Sequence, residues 1–576
     1  MASSRATPSF AELFTPKLVT VLREGYGLKD LRADTLAAAT VAIVALPLSM
    51  AIAIASGVTP DRGLYTAIVG GFVVSALAGS RFQIGGPAGA FIVLVAATVA
   101  QYGVDGLIFA TMLSGIILLV VGLLRLGTFI KYIPYPVTVG FTAGIALVIF
   151  TSQIKDLLGL KLTHPEPGDF VPRLQALWTA LPTVNTAAVT LAGVAIGSIV
   201  LIRRFKPHWP AFLVAAVLAS MLAWGLRLPV ETIGTRFGGI PRSLPWPSMP
   251  HWSGGAIAQI LPAAAAFALL GGIESLLCAV VADSMTGRRH RSNAELVGQG
   301  VANIASACFG GFCVTGTIAR TATNIRAGAR GPIAGILHAV FLLLFLLVAA
   351  PLASFIPLAA LAGILSTVAW NMAEKHQFAT LLRASLGDAL VLLATFLLVV
   401  FRDLTSGILV GFGLGVLLFL HRMAEAIEIE RPTPDAESDV ADAANGTERP
   451  YDASLATDPD VVVYRISGAF FFGAAAGVAA ALDRIGEHPK AYVIDFAAVP
   501  LIDSTAAATI EGFMRKAHRK QAAVYLSGVS EANRGVLMAH GLRPPLVRYS
   551  DSIGDALAHR RAGQSGREAE LTEERR

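Results

Sequence analysis

Runs of roughly 17 to 25 apolar residues, each enough to cross about 30 Å of hydrocarbon, recur from Asp34 to Met423 between short charged or Pro/Gly-rich breaks. This pattern predicts about fourteen spans, beginning near residues 35, 62, 86, 104, 130, 184, 209, 258, 294, 314, 330, 354, 382 and 402. Residues 1–33 precede them, and residues 34–423 form the membrane domain. Residues 424–459 are acidic and Ala/Pro-rich without apolar periodicity, which predicts a flexible linker. From 460 to 565, strand-like VVVYRIS, AYVIDFAAV and AAVYLSG alternate with helix-like GAAAGVAAALDRIG, DSTAAATIEGFMRKAHRK and EANRGVLMAHG. That alternation predicts a small α/β domain, followed by a polar tail over 566–576.

Composition agrees: 54% of the residues are hydrophobic and only 15% charged, where a soluble chain carries about a quarter. The net charge of +6 comes without an aromatic-basic stripe, so membrane topology explains it better than nucleic acid does. An even number of spans puts both termini on one side. With that side cytoplasmic, Arg203, Arg204, Lys206, Arg288, Arg289 and Arg291 fall in inside loops, together with Arg125, Lys131, Arg326 and Arg330. The expectation is a multi-pass cell-membrane protein with both termini inside. Cys278, Cys308 and Cys313 show neither metal-ligand nor disulfide spacing, and no metal or cofactor is expected. No nucleophile–base pair or phosphate loop stands out either, which argues against an enzyme.

Two predicted spans are too short and too glycine-rich to be ordinary ones: FQIGGPAGAFIVLV from Phe82 and FCVTGTIARTATNI from Phe312. They resemble each other and stand 230 positions apart; the same interval carries the first span onto the eighth. Two repeats of seven spans must face opposite ways, the inverted-repeat plan of secondary transporters. Close helix packing is the alternative use of such glycines. As half-helices, the segments would point two N-termini, each with about four unpaired amides and half a positive charge, at one place. Gly86, Pro87 and Ala88 from one half and Thr315, Gly316, Thr317 and Ile318 from the other would then bind a small anion, with the threonine hydroxyls as added donors.

Arg320 falls on nearly the same helical face as Gly316 and Thr317. An intramembrane charge is a functional candidate by default, a structural interhelical arginine being the alternative. Glu274, in LLGGIESLLCAVVAD, has no Lys or Arg within a turn. Burial would favour its protonated form, making it the candidate for proton coupling, against a permanently neutral carboxyl. Ser49, after Pro47, is a candidate cavity-lining residue. Asp283 is read as a loop anchor, and Arg326 and Arg330 as interfacial.

The motifs LPLSMAIAIASGVTPDRGLYTAIVGG, GGPAGAF, GGIESLLCAVVADSMTG, SNAELVGQGVANIASACFGGFCVTGTIARTATN and RDLTSGILVGFGLG resemble the SulP family of inorganic anion transporters. The resemblance implies a UraA-like seven-plus-seven fold with core and gate domains, elevator-like alternating access, an anion between spans three and ten, and a possible homodimer. It also implies that Glu274 lies near the anion and serves coupling. The sodium-coupled bicarbonate branch carries Asp at the position of Glu274 and Thr at that of Cys278, so the proton is the expected co-substrate rather than sodium. Sulfate is the family's default anion, with bicarbonate the next reading. Leu48 stands where many plant-type sulfate permeases have glutamine.

The C-terminal segment resembles a STAS domain, with Ser504 in VIDFAAVPLIDSTAAATI where regulatory relatives carry a phosphorylated serine. Ser504 is thus a candidate phosphosite, or simply a helix cap, and the domain a candidate site for a cytoplasmic partner. The Asn445 triplet NGT would face the wrong side for glycosylation. The leading expectation is a proton-coupled carrier of a small inorganic anion. A dicarboxylate or nucleobase carrier, a passive anion channel and a membrane-anchored STAS regulator are the alternatives.

Overall fold

A computed structural model of the protein describes residues 10–128, 134–164, 166–206, 209–250, 257–430, 460–483 and 489–560. Lys131, most of the predicted linker with Asn445, and the tail 566–576 fall outside them. The chain divides into two compact units, Met1–Gly415 and Val416–Arg576.

Each predicted span coincides with a helix. In the first half these are α1 (Leu28–Ala55), α2 (Pro60–Tyr65) continued through a π-turn at Thr66–Gly70 into α3 (Gly71–Leu77), α4 (Ile92–Leu123), α5 (Tyr135–Leu158), α6 (Thr186–Phe205) and α7 (Ala211–Gly225). The second half supplies α8 (Ile257–Thr286), α9 (Ser292–Cys308), α10 (Ile318–Arg326), α11 (Ile333–Ala353), α12 (Leu358–Met372), α13 (Leu386–Phe401) and α14 (Leu404–Glu425). With the 3₁₀ turn Gly89–Phe91 ahead of it, α4 runs for 35 residues, about 52 Å at about 1.5 Å per residue and too long for one crossing. It is two spans broken at Gly103, whose φ of 69° is a conformation that glycine adopts without strain. Among the described residues, seven helices are individually long and apolar enough to cross a membrane. α1 continues unbroken through Pro47.

The 230-residue interval holds through the first four spans of each half. It carries α1 onto 258–285, within α8, and the arm of α4 after Gly103 onto α11. The halves interleave in packing. One bundle joins α4 to α8 and α9, α1 to α11, and α3 to α9 and α11; the other joins α5 to α12 and α13, and α6 to α7 and α12. These are the core and gate bundles of the seven-plus-seven fold. The α4–α9 contact depends on two facing glycines: a Cβ on Gly115 would lie 2.6 Å from the Gly300 carbonyl oxygen, and one on Gly300 equally close to that of Gly115. Backbones that approach this closely gain dispersion contacts that lipid cannot replace.

Two dipeptide strands interrupt the helices, β1 (Gly85–Gly86) and β2 (Thr315–Gly316). The C-terminal unit has a five-stranded sheet in the order β3 (Glu428–Glu430), β4 (Val461–Ser467), β5 (Ala491–Ala498), β6 (Ala523–Ser527) and β7 (Arg548–Ser550). All pairs but β3–β4 are parallel, joined through α15 (Phe472–Asp483), α16 (Ser504–Arg519) and α17 (Glu531–Ala539). Val462, Ile494, Phe496, Ile510 and Leu526 fill its core. The sequence pattern gave no sign of β7, and β3 lies where a linker was expected; three residues are too few for alternation to register.

Candidate functional site

β1 and β2 bring the two matched segments together. Gly85 pairs with Gly316 and Gly86 with Thr315, antiparallel. Moving Gly85 forward by 230 gives Thr315, and moving Gly316 back gives Gly86, so one pair becomes the other. A register that exchanges onto itself is what a two-fold axis relating inverted halves demands. From this ladder the chain turns into the Gly89–Phe91 turn and α4 on one side, and into α10 on the other.

Both helix starts lack a side-chain cap. Helix geometry leaves the first amides without intrahelical acceptors. Among the described residues no backbone acceptor takes the amides of Gly89 and Ala90, or of Ile318, Ala319 and Arg320. The amide of Thr317 is committed to the Ile84 carbonyl at 3.0 Å.

Arg320 is 1% exposed. Its guanidinium crosses to the other half, where Nη2 donates to Ser49 Oγ at 3.1 Å and to the Pro87 carbonyl at 3.3 Å. A Cβ on Gly86 would run into Nη1, so glycine there is what admits the guanidinium. Nε and Nη1 are buried and have no hydrogen-bond acceptor among the described residues. The structure thus gathers Ser49, Gly86, Pro87 and Arg320 at one point, with Ala88 and Ile318 beside the uncapped amides.

The expected hydroxyl donors are corrected. Thr315 Oγ1 donates to the Gly271 carbonyl at 3.1 Å and Thr317 Oγ1 to the Ile84 carbonyl at 3.0 Å. Ser49 Oγ likewise donates to the Ala45 carbonyl at 2.7 Å. These protons are spent on holding the backbone, so what remains for a ligand is the main-chain amides and the guanidinium.

Glu274 faces the same junction. On α8, Gly271 accepts from Thr315 and Cys278 Sγ donates to Thr321 Oγ1 at 3.2 Å. Residues 271, 274 and 278 share one helical face, which places Glu274 between the two bonds, against β2 and α10. The Glu274 side chain is half-buried and has no hydrogen-bonding or ionic partner among the described residues.

Sequence reasoning missed the polar stripe of α9. Glu295, Gln299, Asn303 and Ser306 are all buried, at spacings of four, four and three that put them on one face. Glu295, 0% exposed, accepts from the Ser80 amide at 2.9 Å and from Ser275 Oγ at 2.8 Å. Ser275 Oγ in turn accepts from Gln83 and Gln299. Asn303 bonds both the amide and the carbonyl of Val314 at 3.0 Å, and Ser306 the Phe312 carbonyl at 2.8 Å. The stripe fastens the strands that present the two half-helices. A helical repeat of amides and a carboxylate inside an apolar chain was the available signal.

Other expectations concern the periphery. Asp283 holds His290 through its ring at 2.7 Å and its amide at 3.0 Å, a loop anchor as read. Arg326 and Arg330 are exposed. In the C-terminal unit the cap of α16 is Asp503, which accepts the Ala506 amide at 2.8 Å. Ser504 is therefore not the cap; it is the first helical residue, and exposed.

Interleaved halves with two half-helices meeting at a two-fold ladder define a multi-pass membrane transporter of the inverted-repeat class. The chain belongs to the sulfate permease family, whose pattern matches residues 31–395, and the STAS domain pattern matches 452–556. It is accordingly a transporter and not an enzyme. It is 39% identical over 522 residues to YvdB of Bacillus subtilis (strain 168), a candidate sulfate transporter by name, covering 90% of this chain and 95% of that one. It is 32% identical over 511 residues to the bicarbonate transporter BicA of Synechocystis sp. (strain ATCC 27184 / PCC 6803 / Kazusa), with 87% and 89% covered. Among solved structures, the murine solute carrier 26 member A9 anion transporter superposes with a TM-score of 0.83 at 16% identity, over 97% and 96% of the two chains. The transmembrane domain of a cyanobacterial BicA gives 0.59 at 32% identity, over 68% and 98%.

Proposed function

We propose that the protein is a secondary active transporter of a small inorganic anion, sulfate in the first place and bicarbonate in the second, driven by protons. The anion binds where the amides at the starts of the two half-helices converge with Arg320. Ser49, Gly86, Pro87, Ala88, Thr315, Gly316, Thr317 and Ile318 shape this site, mostly through their backbone. The observation that carries the reading is the buried guanidinium with two unpartnered nitrogens beside two uncapped helix starts. Two such starts contribute roughly half a positive charge each, and desolvated donors of this kind favour an anion from outside the chain. That sulfate and bicarbonate are named for the relatives at 39% and 32% identity supports the same choice.

Movement of the core bundle against the gate bundle would expose this site alternately to the two sides. Both termini lie in the cytoplasm by the positive-inside rule, residues 34–423 form the transport domain, and 460–565 form the STAS domain behind a linker over 424–459. The carrier works as a homodimer, and Ser504, exposed at the start of α16, is a phosphorylation site through which a cytoplasmic partner reads the STAS domain.

Glu274, unpartnered and facing the half-helix junction, carries a proton with the anion. Labelled sulfate, bicarbonate and dicarboxylate uptake into proteoliposomes, with pH and sodium gradients imposed separately, tests this. A pH gradient should drive accumulation in the wild type. Glu274→Gln should sharply lower that accumulation and keep anion exchange within a few-fold of normal. Accumulation that follows sodium and ignores pH contradicts the assignment.

A further inference from the structure

His338 on α11 is 0% exposed, and neither ring nitrogen has a hydrogen-bond partner among the described residues. An imidazole always carries at least one N–H, so its burial costs desolvation that nothing in this arrangement returns. Such a group in a membrane core calls for an explanation. Its surroundings narrow the choice. One turn earlier on α11, Gly335 lies so close to Ser75 of α3 that a Cβ there would overlap Ser75 Oγ, and it nears Ile84 beside β1. Ser75 Oγ is also buried without a partner. From Ile84 the chain leads to the α10 side: its carbonyl takes the amide and hydroxyl of Thr317, and two residues on, Gly86 lies against the Arg320 guanidinium. Unsatisfied polar atoms of α3 and α11 thus lie beside Ile84, at the edge of the ladder that holds Arg320.

We propose that His338 is a second proton-accepting group of the carrier, protonated when an anion is seated on Arg320. This rests on the anion site proposed above. A cation beside an imidazole opposes its protonation. An anion on the guanidinium cancels that opposition, and a dianion reverses its sign. By linkage, a proton on His338 must then strengthen anion binding as much as the anion strengthens the proton's.

Among the described residues, the elements packed most extensively on α11 bring few charges. α11 packs against α1, α3 and the π-turn. α3 and the π-turn have no ionisable residue, and those of α1 (Lys29, Asp30, Arg32 and Asp34) lie in its first two turns. Asp34 is engaged by Tyr26 and by the Arg330 and Gly331 amides ahead of α11.

The charges balance. Without substrate, Arg320 (+1), neutral His338 and ionised Glu274 (−1) sum to zero. With a dianion and two protons, Arg320 (+1), imidazolium (+1), neutral Glu274 and the dianion (−2) again sum to zero. A dianion taken with two protons thus leaves the moving core with the same net charge loaded and unloaded, and neither state is penalised in the low-dielectric interior. A monoanion needs one proton for the same balance.

Calorimetric titration of the purified full-length protein with sulfate, and separately with bicarbonate, in buffers of different ionisation enthalpy counts the protons bound per anion. Wild type should take up close to two per sulfate. His338→Gln should take up one fewer and bind sulfate about tenfold or more weakly at neutral pH, the cost that linkage attaches to a proton no longer taken up; Glu274→Gln should also lose one, and the double variant should lose both. His338→Asn serves if the glutamine variant aggregates. Anion binding with no proton uptake in the wild type, or an unchanged count in both His338 variants, overturns the proposal and leaves the anion site standing. If neither anion binds, or Arg320→Ala binds as tightly as wild type, the anion site fails and this proposal with it.

Discussion

Arg320→Ala is expected to weaken anion binding from roughly 30-fold to a few thousand-fold, with uptake at low substrate falling in proportion. The range follows from the cost of about 2–5 kcal/mol for removing one partner of a buried, hydrogen-bonded charge pair, at about 1.4 kcal/mol per tenfold. Two features place Arg320 high in that range. Its side chain is 1% exposed, so water screens little of the interaction. Nη2 is already held by Ser49 and Pro87, so the fork is oriented before the anion arrives and pays little ordering entropy on binding. Arg320→Lys keeps the charge but loses the planar fork, and should fall between the two. Equilibrium binding and initial uptake rates check this; an alanine variant with wild-type affinity removes the arginine from the site.

Glu295→Leu should strongly destabilise the membrane domain. The carboxyl accepts from the Ser80 amide and from Ser275, and a buried donor left without its acceptor costs about 1–3 kcal/mol. Leucine leaves both donors buried and unanswered, a loss of about 2–6 kcal/mol. It also releases Ser275, on which Gln83 and Gln299 converge. Because the side chain of Gln83 fills the space where a Cβ on Gly316 would stand, the damage reaches the β1–β2 ladder. Thermal unfolding in detergent should show a lower midpoint or a loss of monodisperse protein, with Glu295→Gln recovering part of it. A leucine variant that melts with the wild type contradicts the account.

The spans were legible because a bilayer imposes a single length on apolar runs, and the half-helices because two short glycine-rich segments recur at one interval. Arg320 stood out as a charge in an apolar chain, and the structure places it across the repeat boundary, against Ser49 and Pro87. What Thr315 and Thr317 do was not legible: a hydroxyl's partner is set by tertiary placement, and here both are taken by backbone carbonyls. The α9 stripe and His338 were within reach of pattern reading, since amides, a carboxylate and an imidazole at helical spacing are costly in a membrane. They were passed over because each is weaker alone than an arginine. The short strands β3 and β7 carry no periodic signal, being defined by the neighbours they pair with.

The proposed anion site lies between the two half-helix starts, against Arg320. Selenate has the shape and charge of sulfate and scatters anomalously, so diffraction near the selenium edge from crystals of the full-length protein grown with selenate locates it directly. One strong peak is expected within roughly 3–4 Å of Arg320 Nε or Nη1 and of the amides of Ala90 and Ala319, the distance of charge-assisted hydrogen bonds about a selenium centre, and it should be lost in Arg320→Ala. A peak elsewhere in the membrane domain, or one that persists in the alanine variant, would contradict it.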